Sequence, residues 1–186
     1  VVELREAVYE DCAIIAALHA ESWQRAYRGI LSDDFLDHFV LEDRLAVWSE
    51  RFSAPKKNQR IVCLKLREEL IGFVCAYFSE DEKFGTFIDN LHVSHRMKRN
   101  GFGALLVDQI TSLSQSEFGE SKVYLWVLAE NRSAVKFYES IGGKRYEALF
   151  WDSPDGGKYK KFRYVWVNPN SKWIKRQLRW TVINQT

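Results

Sequence analysis

Apolar and polar positions alternate at the start of the chain: Val2 and Leu4 are set against Glu3 and Arg5, the period of a half-buried strand. Asp11 then precedes Ile14, Ile15 and Leu18, an i, i+1, i+4 grouping that predicts an amphipathic helix capped by the aspartate and stopped by Gly29. Residues 32–52 carry Phe35, Leu36, Phe39, Leu45, Val47, Trp48 and Phe52 among charges, which predicts one or two further helices before Pro55. From Arg60 the texture changes to β-branched and aromatic runs of strand length, IVCLKL, LIGFVCAYF and TFIDNLHV. Residues 101–118 return to helical spacing and lead into the apolar run VYLWVLA. Asn131 opens a last helix that ends at Gly142 and Gly143. ALFWD and KYKKFRYVW then flank Ser153-Pro154-Asp155-Gly156-Gly157 as a hairpin. The resulting order, β, α, α, β, β, β, α, β, α, β, β, is that of an α/β domain with a mixed sheet and helices on both faces.

With 186 residues the chain suits one domain, and 46% hydrophobic with 15% aromatic residues excludes disorder. Charged residues, 28% of the total, break every apolar run before it reaches bilayer length, so no membrane span is expected. Glu3, Arg5, Glu6, Glu10 and Asp11 occupy the stretch where a signal peptide requires an apolar segment. Cys12, Cys63 and Cys75 are odd in number and lack CxxC spacing, which predicts reduced core thiols and a cytoplasmic location. The four histidines show no ligand spacing, so no metal is expected. Charge is unevenly distributed: residues 1–155 carry −6 and residues 156–186 carry +8. Such a basic end either lies against its own acidic body or serves a nucleic acid or membrane surface.

Chemistry concentrates at His95-Arg96-Met97-Lys98-Arg99-Asn100-Gly101-Phe102-Gly103, between a strand and a helix. A helix N-terminus presents unpaired backbone N–H groups and the positive end of the dipole, a setting suited to a pyrophosphate. Gly101 and Gly103 leave room for a phosphate at the backbone, and Arg96, Lys98 and Arg99 add positive charge. No Ser or Thr follows a GK pair, which excludes a Walker loop, and Leu106 stands where a Rossmann fingerprint requires a small residue. On its own, the segment also reads as a plain tight turn.

The run IDNLHVSHRMKRNGFGALLVDQI resembles the acyl-CoA-binding motif of the GNAT superfamily of N-acyltransferases, with Lys98 where Gln or Arg is usual. Further on, NRSAVKFYESIGGKRYE resembles the family's N-x-x-A-x-x-F-Y segment, with Gly143 where an aromatic normally follows Gly142. The resemblance covers residues 1–167 and implies the GNAT fold: a mixed, mostly antiparallel twisted sheet of six to seven strands with helices on both faces. It implies acetyl-CoA as cosubstrate. Leu91, His92 and Val93 would form the strand edge that pairs with pantetheine, with a backbone N–H near Leu91 or His92 polarising the thioester. Lys98, Arg99, Asn100, Gly101, Phe102 and Gly103 would hold the pyrophosphate, and Asn131 and Ser133 would face the cofactor arm. Tyr138 would sit near the sulfur and protonate the departing thiolate.

Each residue also has a structural reading: Asn131 as a helix cap, Tyr138 as a core aromatic, His92 as a strand histidine. An alkyl ammonium lies roughly three units above neutral pH, so deprotonating it costs about 4 kcal/mol before attack. Where some GNAT members place a glutamate, this chain has Phe87 and Trp126. Asp89, on the same strand face as Phe87, is the nearest carboxylate; a water chain is the other route. Trp23, Gln24 and Tyr27 match the region that shapes the acceptor groove, where aromatics hold a cation or an apolar acceptor, or else simply face the core.

The resemblance thus implies direct acetyl transfer to a small-molecule or peptide amine, with protein N-terminus, lysine, polyamine, aminoglycoside and amino acid all open. The alternatives are a non-catalytic acyl-CoA-binding or sensory module and, less in keeping with the motifs, a nucleic-acid-binding protein. Residues 168–186 form a basic extension beyond the resemblance. At 100° per residue its 171–186 stretch sorts Trp173, Ile174, Leu178, Trp180 and Val182 from Lys172, Lys175, Arg176 and Arg179. That predicts an amphipathic helix docked on the body or on a second subunit of a homodimer.

Overall fold

Strand β3 (Glu69–Asp81) is buried without interruption over residues 70–78. An unbroken apolar strand of that kind needs cover on both sides of its sheet. The computed structural model, which describes residues 1–167 and 182–184, supplies that cover. Strand β1 (Val2–Glu6) is followed by helices α1 (Cys12–Ala26) and α2 (Val40–Ser53), then by β2 (Gln59–Leu66), β3 and β4 (Gly85–Val93). Helix α3 (Phe102–Phe118), strand β5 (Lys122–Leu128), helix α4 (Arg132–Ser140) and strands β6 (Lys144–Asp152) and β7 (Lys158–Val167) complete the predicted order.

Alternate residues of the central strands serve opposite layers. Cys63, Phe73 and Cys75 pack with Ile15 and Leu18 of α1 and Trp48 of α2. Their neighbours Val62, Leu64, Val74 and Ala76 pack with Leu105, Leu106 and Ile110 of α3 and Tyr138 of α4. All three cysteines are free and buried. The sheet order is β6-β7-β5-β4-β3-β2-β1-β8, with neighbours antiparallel except β4/β5 and β1/β8. The eighth strand, β8 (Val182–Asn184), lies parallel to β1 at the sheet edge and adds one strand to the six or seven expected. Within the helix expected for residues 171–186, residues 182–184 are strand instead; residues 168–181 and 185–186 lie outside the described residues.

Asp11 precedes α1 but its side chain does not cap it. Its carboxylate is taken by the Arg5 guanidinium, at 2.7 and 2.8 Å, and by the Val8 N–H at 2.8 Å. The two-pronged, charge-assisted contact prevails over a cap bond. The hydrogen bonds from Arg5 lower the Asp11 pKa despite its partial burial.

Candidate active site

Strands β4 and β5 run parallel, joined by α3, yet they pair only at Thr86–Val123, Phe87–Tyr124 and Ile88–Leu125. On its other side β4 stays paired with β3 as far as Val93, across an irregularity in which Cys75 faces Asn90 and Ala76 faces Ile88. Asp89 is the extra residue of that bulge. Beyond it Leu91, His92 and Val93 have no β5 partner, so the carboxyl ends of the two parallel strands part. That position is where open α/β sheets receive ligands.

Both helices that follow these strands begin at the opening. At the start of α3, Gly101 is left-handed at φ 81°, as is Arg99 at φ 64°, a conformation that costs a non-glycine residue roughly 1–2 kcal/mol. Lys98 and Arg99 are exposed, and the Asn100 amide donates to the Met97 and Lys98 carbonyls, holding the turn closed. Phe102 is buried, so only its backbone is available to a ligand. Gly103 also has a packing role: a Cβ there would meet Phe137 Cζ at 2.9 Å. Its missing side chain lets α4 pack closely on α3. At the start of α4, Asn131 Oδ1 accepts the Ala134 N–H at 3.2 Å, so its capping role is established, while Ser133 is exposed.

Tyr138 is 8% exposed, ringed by Phe137, Tyr164 and Trp166, and burial raises its phenol above the ordinary value. Tyr27, half-buried near it, is pushed up to about 12, also by burial. Gly143 has a neighbour in place of the aromatic ring expected there: a Cβ would meet the Trp166 ring at 2.6 Å. Trp166 also donates from Nε1 to the Ile141 carbonyl at 3.0 Å, which fixes its indole over the glycine.

On the other face, Asp89 Oδ2 accepts from Arg51 Nη2 at 2.5 Å, and Arg51 also donates to Asn90. Burial works against the Arg51 charge, but Asp89, Cys75 and Tyr77 together outweigh it and its pKa is raised. Phe87 stacks between Tyr77 and Tyr124, and Trp126 lies under Lys161 and Arg163, each 4.5 Å from its ring. Aromatic contacts therefore fill the two places where a glutamate was sought.

A group absent from the sequence reading lies between α1 and α2. Trp48 Nε1 donates to His19 Nδ1 at 3.0 Å, and the His19 ring is 4.3 Å from that of His92 and 5.1 Å from Trp23. Burial, helped by neighbouring positive charge, holds both histidines neutral, His92 at about 3. Arg44 stacks on Trp23 at 4.3 Å. Gln24 is structural, donating to the Leu36 carbonyl at 2.9 Å. His19/Trp23 and Arg44/Trp48 are each spaced i, i+4, which marks a shared helix face; which face meets which is fixed only by the antiparallel pairing of the helices. Among the described residues no helix is long and apolar enough to cross a membrane, and no three His, Cys, Asp or Glu side chains gather as a metal would require.

Parted parallel strands with a glycine turn at the following helix N-terminus define an α/β domain of ligand-binding type. The model of the Acetyltransferase (GNAT) family matches residues 17–143, and the chain belongs to that family. It is 27% identical over 147 residues to the uncharacterized N-acetyltransferase YuaI of Bacillus subtilis, covering 77% of this chain and 81% of that protein. It shares its fold with a GCN5-related N-acetyltransferase from Rhodopseudomonas palustris, at TM-score 0.71 and 18% identity over 88% of this chain and 94% of the other. It shares it also with the PaiA N-acetyltransferase of Thermoplasma acidophilum in complex with coenzyme A, at TM-score 0.69 and 18% identity over 90% and 99%.

Proposed function

We propose that the protein is an acetyl-CoA-dependent N-acetyltransferase that moves acetyl directly to a primary amine. The observation that carries this reading is the parting of β4 and β5 beside the left-handed Gly101 turn: a strand edge and a helix N-terminus converge there. The residues fit acetyl-CoA. Leu91, His92 and Val93 offer an edge for the pantetheine amides, the backbone of residues 98–103 faces the pyrophosphate, and Lys98 and Arg99 are exposed beside it. Asn131 and Ser133 line the arm from α4. The three free buried thiols support a reducing, cytoplasmic setting.

In this reading the amine nitrogen bonds to the thioester carbonyl carbon, whose oxygen is polarised by a backbone N–H at Leu91 or His92. The C–S bond then breaks, its electron pair leaves on sulfur, and the amine releases a proton. Tyr138, kept protonated by burial, donates a hydrogen bond to that sulfur. Full transfer from a raised phenol to a thiolate of pKa about 8.5 runs uphill, so the hydroxyl acts by donation rather than by losing its proton. Asp89 is the nearest carboxylate on the acceptor face, with Oδ2 held by Arg51, and takes the amine proton at Oδ1.

An amine panel incubated with acetyl-CoA and read by CoA release and product mass tests the reading. Acetylated product is the expected outcome, with turnover lowered in Asp89→Asn and the acid limb of its pH profile displaced. CoA binding with no turnover of any amine would favour the non-catalytic module.

A further inference from the structure

We propose that Arg44 binds a carboxylate of the acceptor, so that the substrate is an apolar or aromatic amino acid rather than a polyamine. This rests on the reading above and names the acceptor class for the same site.

Arg44 is 8% exposed, an uncommon place for a guanidinium, and it lies along the Trp23 indole. A buried guanidinium has five N–H donors to satisfy. Asp43 answers two of them with one oxygen, Oδ2, which accepts from Nε at 2.8 Å and from Nη2. Nη1 makes no hydrogen bond among the described residues. Nη1 and the remaining N–H of Nη2 therefore form a planar fork not taken up by Asp43, the shape that matches a carboxylate with two parallel bonds.

The surroundings give this edge its context. Trp23 is flanked by Tyr27, at 5.3 Å between ring centres, and by Trp151 of the β6–β7 hairpin, at 6.1 Å, which together make an apolar wall. The wall is the acceptor region, and the sequence left open whether its aromatics hold a cation or an apolar group. Arg44 decides between them, because the protein's own cation already occupies the Trp23 face. Its charge remains effective despite Asp43: after burial, Arg44 is among the influences that disfavour protonation of His19 and His92 and favour ionisation of Tyr27. A second ammonium group on the acceptor would meet this positive field, whereas a carboxylate would be drawn to it.

The test begins with a CoA titration, which addresses the underlying reading alone. Acetyl transfer is then measured for apolar and aromatic L-amino acids, each beside its decarboxylated amine (L-phenylalanine with phenethylamine, for example), and for spermidine. The amino acids should exceed their decarboxylated partners in kcat/KM by about tenfold or more, since a site built to bond a polar group rejects the analogue lacking it. That ratio should fall toward one in Arg44→Gln, with Arg44→Lys between because it keeps the charge and loses the fork. Preference for the decarboxylated amines or for spermidine overturns the proposal. So does CoA binding without turnover of any amino acid, or a ratio unchanged in Arg44→Gln. If that variant does not fold, the wild-type ratio and Arg44→Lys decide. Failure to bind CoA overturns the underlying reading as well.

Discussion

The Tyr138 ring is fixed among Phe137, Tyr164 and Trp166, and burial keeps the phenol protonated at working pH, as the proposed donation to sulfur requires. Tyr138→Phe removes only the hydroxyl, so CoA affinity should hold while turnover falls by about 10²–10³-fold, the usual range for losing one aimed hydrogen-bond donor. Normal turnover in stopped-flow or steady-state assays would reduce Tyr138 to packing. The histidine pair gives a second consequence. Because the indole of Trp48 only donates, His19 must carry its proton on Nε2, and that buried N–H has no partner among the described residues. Both histidines have folded-state pKa values below their unfolded value of about 6.5, so the unfolded chain binds protons that the folded chain refuses. Their contribution to stability is complete above about pH 6.5 and is lost as pH falls from there toward about 3, the His92 value. For the fully buried His19 the slope reaches about 1.4 kcal/mol per pH unit. Melting temperatures recorded from pH 7.5 to 5 should fall accordingly, and His92→Gln should flatten the curve; equal slopes in the two proteins would contradict the assignment.

Elements explain why some family positions depart from the usual pattern. Gly143 is small because the Trp166 ring, fixed by its bond to the Ile141 carbonyl, fills the space an aromatic at that position would take. Gly143→Phe, although it restores the family residue, should therefore destabilise by about 1–3 kcal/mol through overpacking. Trp166→Ala in the same chain should recover part of the loss, and a denaturant melt of the single and double variants measures the coupling. The element order was legible because strand and helix periods differ sharply: Val2 and Leu4 alternate, while Leu105, Leu106 and Ile110 recur at helical spacing. Contacts between elements were not. The spacing of Gly101 and Gly103 did not reveal that the first supplies a left-handed turn or that the second makes room for Phe137. Asp11 likewise looked like a cap until Arg5, on a neighbouring strand, claimed its carboxylate.

At the scale of the molecule, the proposed reaction draws its two halves from separate sides of the sheet. The α3 and α4 N-termini frame the opening between β4 and β5, and α1 and α2 bring Trp23, Arg44 and His19 to the opposite face, where His19 meets His92 of β4. The cofactor side was readable because its motif is local: the strand, turn and helix are contiguous from Leu91 to Gly103. The acceptor side was only half visible. Trp23 lies on α1 and Tyr27 closes that helix at its C-cap, but Arg44 and Trp151 reach the region from two other elements. Amide hydrogen exchange with and without acetyl-CoA tests the central claim most directly, because the proposed site is built largely from backbone. Acetyl-CoA should slow exchange at Leu91, His92 and Val93, at residues 98–104 and around Asn131, leaving β1 and β2 unchanged. Exchange at β4 and the α3 N-terminus that is indifferent to acetyl-CoA, or protection confined to other segments, would contradict it.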